Sequence, residues 1–211
     1  MKNNFIAKVF QWLCIGLLIT FGLGYAITLN EQLTYTLLSN IGLIAIIEII
    51  VGIAFSFLIH KISNTTAKIL YIVYAALSGI TFSTIFLVFE MSSILWVFFA
   101  TAIIFGIFSY IGKKIKIDLS GFGTFLLISL LGMIILTIIN LFILNKALDM
   151  TICLVSILIF VGYIVFDINR IIKMSQLNLD EKYAIFGAFE LYLDIINIIT
   201  DLLGLSGQRK D

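Results

Sequence analysis

Seven long apolar stretches alternate with short polar links along this chain. They cover about residues 5–28, 35–59, 67–89, 93–112, 121–144, 150–173 and 184–205. A helix needs about 20 apolar residues to cross a hydrocarbon core of ~30 Å, so each stretch is long enough to span. The links, Asn30–Glu31, His60–Thr66, Glu90–Ser92, Lys113–Ser120, Asn145–Asp149 and Ser175–Lys182, leave no room for a water-exposed domain. The pattern predicts an all-α polytopic membrane protein, with seven transmembrane helices forming one domain over 1–211. The last stretch differs from the rest. Glu190, Asp194, Asn197 and Asp201 recur at steps of four, three and four, which places them on one helix face. A polar stripe of this kind turns away from lipid, so the C-terminal helix is expected at the centre of the bundle, with Glu190, Asn197 and Asp201 along an ion pathway.

Composition agrees with the pattern. The chain of 211 residues is 62% hydrophobic and 12% charged, with a mean hydropathy of +1.18. Soluble domains carry roughly 25% charged residues, enough to cover a surface in water. A net charge of +1, without a basic cluster interleaved with aromatics, gives no reason to expect nucleic acid as a partner. The N-terminal residues Met1–Lys8 run into apolar sequence without an Ala-x-Ala site, and are read as the start of a retained first helix. The chain has no proline. Cys14 and Cys153 lie in apolar stretches and read as small buried residues. One histidine and two such thiols do not make a zinc or haem site, so no cofactor is expected. Richness in Ile, Asn and Lys points to an AT-rich bacterial genome, and hence to a bacterial plasma membrane.

Lysine and arginine set the expected orientation. With the N-terminus cytoplasmic, ten basic residues lie inside (Lys2, Lys8, Lys61, Lys68, Lys113, Lys114, Lys116, Arg170, Lys173 and Lys182) and three outside (Lys146, Arg209 and Lys210). If the seventh stretch turns back instead of crossing, the count becomes twelve against one. Helix contacts are expected at small residues: Ala75, Ala76, Ser78 and Gly79, Gly52 with Ser56, and Gly121 with Gly123.

Two aspartates stand out as candidates for chemistry. Asp167 lies in the sixth stretch and Asp194 in the seventh, and a charge at membrane depth costs at least a few kcal/mol. A short loop joins the two stretches as antiparallel neighbours. If the sixth ends near Leu177 and Asp180 caps the seventh, the depths of the two acids differ by about one turn at ~1.5 Å per residue. Two carboxyls in contact in a low dielectric cannot both ionise easily, and they share a proton. Protonated, the pair ties two helices together. Deprotonated, it repels or recruits a cation, and calcium is the cation that favours several hard oxygens. Glu48 is a third deep acid, in the second stretch. That stretch ends at His60 and Lys61, where a basic group would latch the pair shut. These acids make no catalytic constellation of the usual kind, so no enzyme activity is expected.

The residues around these acids carry a resemblance. Leu191-Tyr192-Leu193-Asp194-Ile195-Ile196-Asn197, followed by Asp201-Leu202-Leu203-Gly204, resembles the C-terminal signature of the Bax inhibitor-1 family, also called the transmembrane Bax-inhibitor-motif family. Tyr163 to Ile171, centred on Asp167, is similar to the family's preceding helix, with Phe166-Asp167 where the family has Tyr-Asp. Asp118-Leu119-Ser120 with Gly121 to Phe125 resembles the opening of the fifth helix, and Leu77 to Thr81 the third. The match runs from about Glu48 to Gly204. The resemblance implies a seven-helix fold with the last helix central. It implies a pH-sensitive calcium leak channel, with Asp167 and Asp194 as the proton-sensing gate and Glu48 as the acid of the second helix. Bacterial relatives with a pH latch have an arginine near the end of the second helix. Here His60 and Lys61 stand there, which implies a latch set differently. Its partners would be the lipid bilayer, calcium and protons.

Two other readings compete. A regulator that binds other membrane proteins would use the acids only to hold the bundle together. An intramembrane aspartyl protease also has two aspartates on consecutive helices. Such enzymes are similar to one another in Gly-x-Gly-Asp and Pro-Ala-Leu motifs, and this chain has Leu191-Tyr192-Leu193-Asp194 and no proline.

Overall fold

The computed structural model describes residues 2–210, with side chains from residue 4, so Met1 and the side chain of Lys2 lie outside the described residues. Among the described residues eight helices follow one another without a strand: α1 (Lys2–Thr28), α2 (Glu31–Leu38), α3 (Ile41–Leu58), α4 (Asn64–Val88), α5 (Met91–Lys114), α6 (Ser120–Ile143), α7 (Lys146–Met174) and α8 (Glu181–Ser206). Six of them, α1 and α3 to α7, are long and apolar enough to cross a membrane. Of the seven expected spans, six thus have a helix long and apolar enough to cross; the short α2 precedes the second of these, and the seventh stretch is α8, which has 26 residues and carries Glu190, Asp194 and Asp201.

The single second stretch splits into α2 and α3 for a local reason. Ser39 Oγ and Asn40 Nδ2 both donate to the carbonyl of Thr36, at 2.9 and 3.0 Å. Side chains that bond nearby backbone offer the chain an alternative to the helical ladder, and α2 stops there. Asn30 starts α2 by accepting from the Leu33 N–H at 3.0 Å, and Ser63 starts α4 by accepting from Thr66 at 3.1 Å. Asn145 accepts from Ala147 and Leu148 to open α7. The sequence suggests Asp180 as the cap of the last helix. The helix begins at Glu181, directly after it, with the Tyr183 N–H donating to the Asp180 carbonyl at 3.1 Å; the Lys182 N–H donates to Asn64 Oδ1 at 3.0 Å.

The chain divides into two compact units. The first comprises residues 1–89, 174–192 and 210–211, and the second residues 90–173 and 193–209. The first unit thus holds α1 to α4 with the beginning of α8. Here α1 and α3 pack along α4. A Cβ on Gly79 would sit 3.0 Å from the carbonyl oxygen of Thr20, which shows how closely the α1 and α4 backbones approach. Aromatic rings fill the interior. Phe189 meets Tyr74 and Phe55 edge-on at 4.9 and 5.0 Å between centroids. At one rim, Lys68 Nζ lies 2.9 Å from Glu181 Oε2, and Lys8 lies at 4.0 Å from the same carboxylate. The hydrogen bond from Lys68 holds the Glu181 carboxyl below the usual range, against partial desolvation, and the Lys8 charge adds to it.

The second unit holds α5, α6, α7 and the remainder of α8. Gly112 of α5 is pressed against α7, where a Cβ would lie 2.6 Å from the Val165 carbonyl oxygen. Gly123 of α6 makes room for the ring of Phe166, whereas Gly121, expected beside it in a contact, faces open space. Large apolar side chains on α6 such as Ile128, Leu131 and Ile135 are exposed, as lipid-facing side chains are. Cys14 is also exposed, contrary to its reading as a buried residue, because it lies on the outer face of α1.

Along α8 only Thr200, Gly204 and Ser206 are exposed, whereas α3 buries Phe55 alone. The acidic stripe explains the difference. A helix with carboxylates at several depths has no face to offer lipid, so protein covers it.

Two outcomes test this packing. Gly112→Ala is expected to lower stability by about 1–3 kcal/mol through overpacking. Gly106→Ala, with nothing within 4 Å of the added atom, should be neutral or slightly stabilising, both read by thermal unfolding in detergent. The second concerns Glu181. Its lowered pKa means that its contribution is complete above the ordinary glutamate range and is lost as the pH falls through the lowered value. Lys68→Met should cost under about 1 kcal/mol at neutral pH, given the exposure of the pair, and the cost should vanish in acid.

Candidate functional site

The site is built on α7 and the later half of α8. Residues 163, 166, 167 and 170 recur at helical spacing, so Tyr163, Phe166, Asp167 and Arg170 of α7 share one flank. Gly123 of α6 opens the space that receives Phe166. The Arg170 guanidinium lies over the Phe166 ring, 5.6 Å from its centroid, and Arg170 NH2 lies 3.2 Å from Asp167 Oδ1. A glycine on one helix therefore fixes a ring on the next, and the ring supports the cation that meets the acid.

Asp194 of α8 completes the group. The Asp167 and Asp194 carboxyls are hydrogen-bonded to one another, and both residues are buried, at 4% and 3% exposure. A hydrogen bond between two carboxyls requires a proton on one of them. Asp194 Oδ2 has no hydrogen-bond partner among the described residues. Tyr163, one turn before Asp167, also lies beside the pair. The two acids expected to meet at similar depth are thus in contact.

Arg170 was missed as a site residue, although the signal was present. Asp167 and Arg170 are three apart on one helix, the spacing at which opposite charges pair. Reading Arg170 only as a marker of orientation hid it. His60 and Lys61, the expected latch, lie just past the end of α3. Both belong to the first unit, where His60 Nδ1 and the Tyr183 hydroxyl lie 3.3 Å apart and Lys61 is exposed. The cation that meets the aspartate pair is Arg170.

The other acids divide between the units. Glu48 lies in the first, where Thr81 Oγ1 donates to its Oε2 at 2.9 Å and Ser78 lies close by. Glu190 also belongs to the first unit. In the second, Asp201 sits beside Ser156 and Cys153 of α7. Asn197 donates to the Leu193 carbonyl of its own helix at 2.7 Å. Among the described residues no three His, Cys, Asp or Glu side chains converge as metal ligands. Calcium takes six to eight oxygens, and the aspartate pair offers two carboxylates, one already facing Arg170. That donor set does not fit a resident calcium ion.

Comparison with known proteins adds to this geometry. Residues 2–211 match the family model described as inhibitor of apoptosis-promoting Bax1. A protein of Borreliella burgdorferi is 35% identical over 219 residues, covering 100% of this chain and 94% of its own. The inner membrane protein YbhL of Escherichia coli K12 is 34% identical, covering 99% of this chain and 93% of its own. A membrane protein of Streptococcus pyogenes is 32% identical, covering 98% and 93%.

The ion pair can be tested by a double-mutant cycle. Arg170→Met is expected to destabilise the protein at neutral pH by about 2 kcal/mol, because it leaves a buried carboxylate without its cation. In an Asp167→Asn background the cost should shrink, giving a coupling of about 1 kcal/mol or more in denaturant unfolding. Additive costs would mean that the two side chains do not act on one another.

Proposed function

The chain belongs to the Bax inhibitor-1 family, and from that premise we propose that it is a pH-sensitive calcium leak pathway of a bacterial plasma membrane, with its N-terminus in the cytoplasm. The observation that carries this reading is the contact between the buried carboxyls of Asp167 and Asp194, with Arg170 beside them. With one shared proton, the pair and the guanidinium sum to zero charge. The protonated carboxyl donates to its partner and ties α7 to α8. Loss of that proton leaves two anions facing one cation in a low dielectric, where like charges in contact repel strongly. A second proton removes the anion that Arg170 faces. Either change disturbs the tie, so the pair acts as a proton-sensing gate.

Calcium is the cargo in this reading, not a resident ion. Glu48 and Glu190 in the first unit and Asn197 and Asp201 in the second offer oxygen atoms, each unit by itself, and a transported ion must be held weakly enough to leave. Homology to an inner membrane protein of Escherichia coli supports the choice of membrane. The ten-to-three bias of basic residues supports the orientation.

Calcium entry into dye-loaded proteoliposomes, followed across the pH range in which the pair exchanges protons, tests the proposal. The wild-type leak should change with pH. Asp167→Asn and Asp194→Asn keep the shape of the side chain but remove the exchangeable proton, so each should flatten the pH dependence or abolish the leak. A folded protein that leaks at no pH would overturn the channel reading in favour of a regulator that binds other membrane proteins.

A further inference from the structure

The α5–α6 corner carries a concentrated positive patch that the proposed gate does not use. Lys113 and Lys114 occupy the last turn of α5, Lys116 follows in the loop, and Lys173 lies in the last turn of α7. All four are exposed. Asn169 draws the elements together, since its Nδ2 donates to the carbonyls of Gly112 at 3.2 Å and Ile115 at 2.7 Å. Lys173 Nζ lies 3.9 Å from Asp118 Oδ1, which fixes the far end of the loop beside α7. Asp118 is the sole acid in the segment from Lys113 to Ser120, and it is already engaged: it accepts from the Ser120 N–H at 3.1 Å and from the Ser120 hydroxyl at 2.8 Å. Its carboxyl is held below the usual range by those two bonds and by Lys173.

No carboxylate among the described residues lies within ion-pair distance of Lys113, Lys114 or Lys116. Lysines at a helix end often serve its C-terminal carbonyls. Here Asn169 takes two of those carbonyls, so the lysines are not needed for that purpose. Their surroundings indicate their depth. Tyr110 is 61% exposed at the end of an apolar helix, and tyrosine favours the headgroup level of a bilayer. Lys114 Nζ stands 5.3 Å from the centre of the Tyr110 ring. Ile117, between Lys116 and Asp118, is 70% exposed. An exposed apolar side chain directly after a run of lysines suits insertion at the edge of the acyl region.

We infer that the corner formed by Lys113, Lys114, Lys116 and Lys173 binds the phosphodiester headgroups of anionic phospholipids, with Tyr110 and Ile117 seated in the interface. The argument is charge complementarity at a defined depth. Basic clusters beside a membrane-spanning helix attract anionic lipid at short range. Phosphatidylglycerol has the required chemistry, one negative phosphodiester at that level.

The test uses the full chain in detergent with equal amounts of phosphatidylglycerol and phosphatidylcholine, counting bound lipids by native mass spectrometry. The wild type should retain phosphatidylglycerol in preference. The triple variant Lys113→Gln, Lys114→Gln, Lys116→Gln should lower that preference by about fivefold or more. The corresponding triple arginine variant should keep it, and Lys146→Gln, at the start of α7, should leave it unchanged. Thermal unfolding confirms that each variant is folded. An unchanged preference in the triple glutamine variant overturns the inference and leaves the lysines as a signal of orientation only. Displacement of the lipid by millimolar inorganic phosphate also overturns it, in favour of a site for soluble anions.

Discussion

A carboxylate enclosed by helices in a membrane has few acceptable states. It can share a proton with another acid, face a cation, or be neutral, and each choice fixes the position of something else. Asp167 and Asp194 combine the first two. Their mutual hydrogen bond ties α7 to α8, and Arg170 supplies one positive charge on the Asp167 side. Arg170 is held by the Phe166 face, and Phe166 by the absence of a side chain at Gly123. Much of the second unit is thus arranged around one proton and one guanidinium. The same constraint accounts for the enclosure of α8. Its acids recur on a face that lipid cannot solvate, so it is covered while α3 and α6 turn broad apolar surfaces outward.

Hydrophobic length made most of the helices legible in the sequence. The boundaries of α4 to α7 fall close to the apolar stretches because no proline interrupts them and Ser63 and Asn145 give clear starts. The split at Ser39 and Asn40 was less visible. Hydropathy averages over two polar residues, whereas the break comes from their hydrogen bonds to the Thr36 carbonyl. The tie from Asn64 to the start of α8 was invisible for another reason. Asn64 is more than a hundred positions from Lys182, and a pairing between distant loops leaves no local pattern.

The candidate site was read unevenly. The aspartates followed from depth alone, since an acid in an apolar run demands a partner. Arg170 lay three positions from Asp167 and was overlooked because basic residues in such chains are first counted for orientation. His60 and Lys61 drew attention by their place just past the end of α3. His60 meets Tyr183, and its own carbonyl accepts from Lys182 Nζ at 3.2 Å.

That last contact bears on α3 itself. Lys182 Nζ also donates to the Ile62 carbonyl at 3.0 Å, so one ammonium holds the chain where α3 ends. Nearby, Phe55 is enclosed between Phe186 and Phe189. Toward the other end the ties thin out. Glu48 has its bond from Thr81, Asn40 makes no side-chain cap, and α2 beyond it buries no residue. A rod clamped at one end behaves as a cantilever, and its displacement grows with distance from the clamp. Thermal motion of α3 should therefore be least at Phe55 and greatest near Ile41, with Glu48 carried through an intermediate arc.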